Sequence, residues 1–294
     1  MRRLEERADA SPAKRQGSDP LHEQSAALCD LLGSARRWLV LTGAGCSTDS
    51  GIPDYRDQDG RWKRSPPMQY QEFMGQPEAR KRYWARSMVG WVPFGRARPG
   101  TVHRQLAELE QAGRISALVT QNVDGLHQAA GSSTVVDLHG SLSQVDCTAC
   151  GAGLTRSRLQ DALERLNPEW TYAAARIAPD GDVDLEGVDY KEFAVPDCPI
   201  CGGILKPAVV FFGESVPRER VRYCMDQLAE SDALFVVGSS LMVFSGYRFV
   251  REATRLGIPV VILNQGRTRG DEDATVKLES DCAAGLSVLL SSLR

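Results

Sequence analysis

The stretch Trp38-Leu39-Val40-Leu41-Thr42-Gly43-Ala44-Gly45-Cys46-Ser47 decides the fold. Four apolar residues without polar alternation read as a strand buried on both faces, the habit of a parallel sheet. The strand feeds a glycine turn. Glycines there permit a tight bend and close backbone approach to a pyrophosphate, and a helix starting just after would aim its amides at the anion. The next glycine is Gly51, so the Gly-x-Gly-x-x-Gly fingerprint is broken, and no acidic residue stands clearly about 20 positions on. From this motif alone a hydride-transferring dehydrogenase is disfavoured, and a purely structural turn is an equal alternative.

Outward from that strand, further short apolar runs alternate with helical patterns. Strands are expected at Ile115–Thr120, Thr134–Leu138, Val209–Phe212, Leu234–Gly238 and Pro259–Leu263. Helices are expected at Leu21–Leu32, Pro77–Val92, His103–Ala112, Pro217–Ser231 and Tyr247–Leu256. This alternation implies an α/β fold: a parallel sheet with helices on both faces. It breaks between Ser141 and Leu205, where a polar, acidic stretch (Asp180–Asp197) shows little periodicity, as an inserted module does.

The chain has 294 residues, 35 basic against 38 acidic, for a net charge of −3. That balance gives no electrostatic case for nucleic-acid binding. With 42% hydrophobic and 25% charged residues, a wholly disordered or collagen-like chain is excluded. No apolar run approaches the roughly 18 residues of a membrane span. The first 20 residues lack the apolar core of a secretory signal, and Glu5, Glu6, Asp9 and Asp19 argue against a mitochondrial transit peptide. They are expected to form a disordered tail.

Four of eight cysteines form two Cys-x-x-Cys pairs, Cys147/Cys150 and Cys198/Cys201. Two such knuckles suit tetrahedral zinc, and four thiolates leave no open position, so the metal is expected to be structural. Buried free thiols and a redox pair are the lesser alternatives.

Other polar motifs sit at predicted strand ends. Ser50–Arg56 holds Asp54, Tyr55 and Arg56 on a loop, which could be no more than a surface ion pair. Thr120–His127 carries Gln121, Asn122 and Asp124, and Asp124-Gly125 could equally be a turn. His139 follows the third strand, and its place on the same edge favours a general base over a structural histidine. Gly238-Ser239-Ser240-Leu241 and Asn264-Gln265-Gly266 join that edge, where open α/β sheets bind ligands.

Taken in order, these motifs resemble the sirtuins, NAD-dependent protein deacylases, over about Trp38 to Cys282. The likeness is greatest to their class II branch, through Tyr83-Trp84-Ala85-Arg86 and Phe244–Phe249. The resemblance implies a Rossmann-like NAD-binding domain from 21–58, 101–140 and 206–294, a helical part at 59–100 and a zinc-binding module at 141–205. It implies NAD contacts from Gly43, Ala44, Gly45, Ser47, Asp54, Tyr55, Arg56, Gln121, Asn122, Asp124, Gly238, Ser239, Ser240, Asn264, Gln265, Gly266 and Cys282. His139 is then the general base, aided by Asn122, and the four paired cysteines hold one structural zinc. An acyl-lysine peptide is expected to add as a strand against Val210, Phe211, Phe212, Gly213, Glu214 and Leu241.

The implied reaction consumes NAD and releases nicotinamide and O-acyl-ADP-ribose. The alternative is a mono-ADP-ribosyltransferase using the same site. Tyr83 and Arg86 have the Tyr-x-x-Arg spacing of desuccinylating sirtuins in a different surrounding sequence, so long or branched acyl groups are placed ahead of succinyl. The resemblance further implies protein or peptide substrates, no nucleic acid or membrane partner, and a monomer in the cytoplasm.

Overall fold

Leu39 and Leu41 pack to one side of the sheet while Trp38 and Val40 pack to the other, and all four are fully buried. Their strand is β1 (Trp38–Thr42). The computed structural model describes residues 20–63, 66–170, 178–183, 185 and 187–294. Most of the N-terminal tail expected from the sequence, residues 1–19, therefore lies outside the described residues. Pro20 already begins helix α1 (Pro20–Ser34).

β1 pairs in parallel with β2 (Ile115–Thr120) on one side and β7 (Ala233–Val237) on the other. The neighbouring strands are β3 (Val135–Asp137), β8 (Val260–Leu263) and β9 (Val276–Leu278). The order is β3-β2-β1-β7-β8-β9, all parallel. Strand order reverses between β1 and β7. A doubly wound sheet opens its ligand crevice at such a reversal, outside the carboxyl ends of the strands.

Helices cover both faces. On one face α1, α4 (Thr101–Gln111) and α9 (Cys282–Ser292) bury Leu28, Leu106 and Leu286 against Trp38, Phe235 and Val261. On the other, α7 (Arg218–Ala229) and α8 (Phe244–Leu256) bury Leu228, Phe249 and Ala253 against Leu39, Val236 and Ile262. The α/β architecture expected from the sequence is therefore present.

A second body sits beside the crevice. It contains β4 (Gly140–Cys147), β5 (Gly153–Thr155) and β6 (Leu205–Val209), which form an antiparallel sheet in the order β5-β4-β6. Helices α2 (Tyr70–Gly75), α3 (Pro77–Phe94) and α6 (Arg156–Leu166) share its core through Phe73, Trp84 and Leu159.

Two expectations need correction. The strand expected at Val209–Phe212 runs over Leu205–Val209 and belongs to the antiparallel sheet. Pro207 is tolerated because β6 is an edge strand. The sixth strand of the parallel sheet is β9 instead. No α-helix begins after Gly45: two short 3₁₀ turns, Ala44–Cys46 and Thr48–Ser50, follow.

Gly140 joins the two bodies. Its φ is +81°, and a Cβ there would sit 2.0 Å from the Ala208 carbonyl oxygen. Only glycine fits both conditions. Gly140→Ala is expected to destabilise the fold by more than about 2 kcal/mol in urea unfolding. An unchanged midpoint would contradict this account of the junction.

Candidate active site

The carboxyl ends of β1, β2, β3, β7 and β8 deliver five loops to one cavity of about 740 Å³. Gly43, Ala44, Gly45 and Ser47 line it from β1, and Gln121, Asn122 and Asp124 from β2. His139 follows β3, Gly238 to Leu241 follow β7, and Asn264 and Gln265 follow β8. Asp54, Tyr55 and Arg56 reach it from the loop, Val210 to Glu214 from beyond β6, and Cys282 from the start of α9. Gly266 alone of the sequence-derived set is off the wall. It packs against Gln58, whose carbonyl also accepts from the Arg267 amide at 2.8 Å.

The β1 turn lies directly on the β7 loop. The Gly45 amide donates to the Gly238 carbonyl at 2.9 Å, and a Cβ on Gly43 or Gly45 would fall within 2.9 Å of the Gly238–Ser239 segment. The glycines are thus required by this contact as well as by any approaching phosphate. Leu241, at φ +57°, is strained to complete the same loop.

Asn122 donates through Nδ2 to the Gly43 carbonyl and to Ser47 Oγ, both at 3.1 Å. Ser47 Oγ in turn donates to Asp124 Oδ2 at 2.7 Å. Behind Ser47, His103 Nε2 lies 3.4 Å from the hydroxyl, and His103 Nδ1 accepts from the Gly100 amide. Gln121 Nε2 donates to Ser239 Oγ at 2.8 Å, linking β2 to β7.

His139 is held at both nitrogens. Nδ1 is 2.9 Å from the Gln121 carbonyl, which can only accept, so Nδ1 carries the proton. Nε2 is 2.8 Å from Ser245 Oγ and accepts from it. Burial lowers the His139 pKa, and Arg220 and Arg248 lower it further against the opposing Gln121 bond. The ring is therefore neutral at physiological pH, with its lone pair on Nε2.

The loop carrying Asp54 is pinned by Arg56, which donates to the Gly60 carbonyl at 2.7 Å and stacks 3.9 Å over the Trp62 ring. Tyr55 packs edge-on against Trp62 and Phe212. Glu214 turns inward: it accepts from the Phe211 amide and pairs with Lys206 at 3.1 Å. Tyr83 lines the cavity, whereas Arg86 donates to the Val183 carbonyl and pairs with Asp182 at 2.9 Å. The Tyr-x-x-Arg spacing thus does not place both side chains on the wall.

Sequence reasoning passed over His103, Ser245 and Arg248. Ser245 and Arg248 lie within the Phe244–Phe249 stretch that marks the class II likeness, three apart at the start of α8 and hence on one helical face, but that stretch assigns neither a contact with His139 nor a place on the cavity wall.

The four paired cysteines converge. Cys147 and Cys201 sulfurs are 3.5 Å apart and those of Cys150 and Cys198 3.8 Å, with all four within 4.8 Å of one another. Zinc–sulfur bonds of about 2.3 Å in a tetrahedron set sulfurs roughly 3.8 Å apart. The donor set fits zinc. The backbone amides of Cys150 and Ala149 pull the Cys147 thiol down to about 6 and favour the thiolate that a metal requires.

The Sir2 family model matches residues 43–245. An NAD-dependent protein deacetylase of Bordetella bronchiseptica is 56% identical over 265 residues, covering 90% of this chain and 97% of that protein. One of Bradyrhizobium diazoefficiens is 55% identical over 271 residues, covering 92% and 98%. A solved Sir2 complex with a p53 peptide and NAD+ superposes with a TM-score of 0.72 at 31% identity, covering 90% of this chain and 96% of that one. Another, a Sir2 variant with deacetylated p53 peptide and 3'-O-acetyl ADP-ribose, gives 0.73 at 30% identity, covering 90% and 97%.

Two outcomes follow from this geometry. Elemental analysis should find one zinc per chain, and Cys198→Ser should unfold or aggregate the protein. A soluble, metal-free, fully active variant would remove the structural-zinc assignment. Separately, burial depresses His103, His127 and His139, His127 to about 3. Such groups take up their proton on unfolding, so stability falls as pH drops below the unfolded value near 6.5, by up to about 1.4 kcal/mol per histidine per pH unit. Heating scans should show Tm decreasing between about pH 7.5 and pH 5.5. His127→Gln should flatten that decrease, and an equal fall in both proteins would refute the assignment to His127.

Proposed function

The chain belongs to the Sir2 family and is an NAD-dependent protein deacetylase, and we propose that His139 serves its cleft as general base. The observation that carries this reading is that His139 lines the cavity with Nδ1 bonded to the Gln121 carbonyl, which leaves Nε2, bonded to the Ser245 hydroxyl, as the basic nitrogen. A buried, neutral imidazole is ready to take a hydroxyl proton at physiological pH.

When bound, NAD would supply an electrophilic ribose carbon; NAD, acyl-lysine and one water together give nicotinamide, O-acyl-ADP-ribose and free lysine. The chain's own residues bind and orient. Gly43 to Ser47 and Gly238 to Ser240 present backbone and hydroxyl groups to the diphosphate and ribose. Asn264, Gln265 and Cys282 bound the adenosine end. Asn122, Ser47 and Asp124 form one hydrogen-bonded unit at the nicotinamide ribose, with Asn122 aiding catalysis. Asp54, Tyr55 and Arg56 belong to a loop anchored to the β8 end through Gln58, and it excludes water from the reacting bond.

The peptide lies between Val210–Glu214 and Leu241–Ser245. The Phe212 carbonyl already accepts from the Tyr70 amide, so one side of that segment is occupied. The acyl group meets Tyr83, Ile52 and Met68 on the cavity wall. Arg86 is engaged by Asp182, which favours neutral acyl chains over succinyl. The close set of four thiols suits a reducing compartment, which supports the cytoplasm.

His139→Ala is expected to cut deacetylation at least about 100-fold, the scale of a lost general base. Calorimetric NAD affinity should change little. Normal turnover in the variant would withdraw the role of His139. Labelled ADP-ribose appearing on protein without loss of acetyl would favour transfer chemistry instead.

A further inference from the structure

Phe244 opens α8 at the end of the segment that takes the peptide, and it lines the cavity while remaining 47% exposed. Three guanidinium groups converge on its ring: Arg248 at 5.4 Å, Arg251 at 6.0 Å and Arg269 at 6.0 Å from the centroid. Arg269 also lies 4.5 Å over Tyr247. Arg248 lines the cavity, and its Nε is buried without a hydrogen-bond partner. On the opposite wall, Arg218 lines the cavity just beyond Gly213–Val216.

Three nearby carboxylates pair with other cations, and a fourth accepts from a hydroxyl. Asp273 accepts from the Tyr247 hydroxyl at 2.8 Å, Glu252 pairs with Arg255, Asp271 with Lys277, and Glu214 with Lys206. Among the described residues, no carboxylate lies within ion-pair distance of Arg218, Arg248, Arg251 or Arg269. The chain as a whole is acidic, at −3, so this concentration of positive charge is local to one rim of the cleft. Like charges gathered around one ring repel, and an anion entering among them relieves that repulsion. Aromatic faces beside guanidinium groups also give an extended chain an apolar surface to lie on.

We propose that this rim selects acyl-lysine substrates carrying Asp or Glu within a few residues of the modified lysine. The inference rests on the peptide path given above and adds to it the charge of the preferred substrate. A peptide in extended form advances about 3.3 Å per residue, so a carboxylate two or three positions from the acyl-lysine lies roughly 7–10 Å along the strand from it. The selection acts mainly on binding and on-rate, and salt weakens it.

The test uses matched acetyl-lysine peptides with Asp/Glu, Ala or Lys at the flanking positions. Fluorescence anisotropy gives Kd for each, and nicotinamide release gives kcat/KM, at about 50 mM and about 500 mM salt. The acidic peptide is expected to bind roughly 10-fold more tightly than the alanine peptide at low salt, with the lysine peptide weakest. High salt should compress the series. Arg251→Glu should reverse the order, Arg251→Gln should narrow it and Arg251→Lys should keep it, with NAD titration reporting an intact fold. Charge-blind binding by the natural protein, or an unaltered order in Arg251→Glu, overturns the proposal. If no peptide is deacetylated, the catalytic reading fails, while the order of Kd values still decides the charge preference.

Discussion

The close contact between the Gly43–Gly45 turn and the Gly238–Ser239 loop is the constraint from which the site is built. β1 and β7 are adjacent and parallel, so their carboxyl ends emerge side by side. With side chains on those turn residues, the loops would be forced apart, because the Cβ positions are already occupied by backbone and by Ser239. Held together, they put the strand-order reversal and its crevice in one place. The buried strands beneath supply the rigidity: Trp38, Val40, Phe235 and Val237 are fully excluded from solvent.

From that contact a continuous polar network runs to His139. Ser239 accepts from Gln121, and the Gln121 carbonyl accepts from His139 Nδ1. Asn122 and Ser47 tie the β1 turn to Asp124 in parallel. Gln121 thus links β2 to β7 through its side chain and fixes the His139 tautomer through its carbonyl. Ser245 on α8 completes the arrangement from the opposite side. The cysteine cluster is tied to the same strand: β4 starts at Gly140, immediately after His139, and ends at Cys147. A metal bound by those four thiols would stabilise the strand that leaves His139.

Much of this was legible in the sequence where local pattern and global role agree. Trp38–Leu41 is apolar throughout, and Ile115–Thr120 is apolar but for Ser116 and Thr120, the habit of strands covered on both faces. The cysteine spacing favoured a tetrahedral site over free thiols or a redox pair, and the four sulfurs converge as that reading requires. Legibility failed where tertiary context overrides local pattern. Val209–Phe212 is apolar enough for the parallel sheet, yet Pro207 and the pairing of β6 with β4 draw the strand forward to Leu205. β9 has three residues, too few for periodicity to register. α6 lay within the polar insert, its stripe reduced to Leu159 and Leu163. α9 is apolar on most sides, so no stripe stands out. Ser245 and His103 touch the site only through folding, since their partners are 106 and 56 residues away.

The crevice couples NAD consumption to acyl removal from lysine. The most direct measurement is the product stoichiometry, read by mass spectrometry after incubating the protein with NAD and an acetyl-lysine peptide. The account predicts one nicotinamide and one O-acetyl-ADP-ribose for every deacetylated peptide. Nicotinamide released while the peptide stays acetylated, or deacetylation without NAD loss, would contradict it.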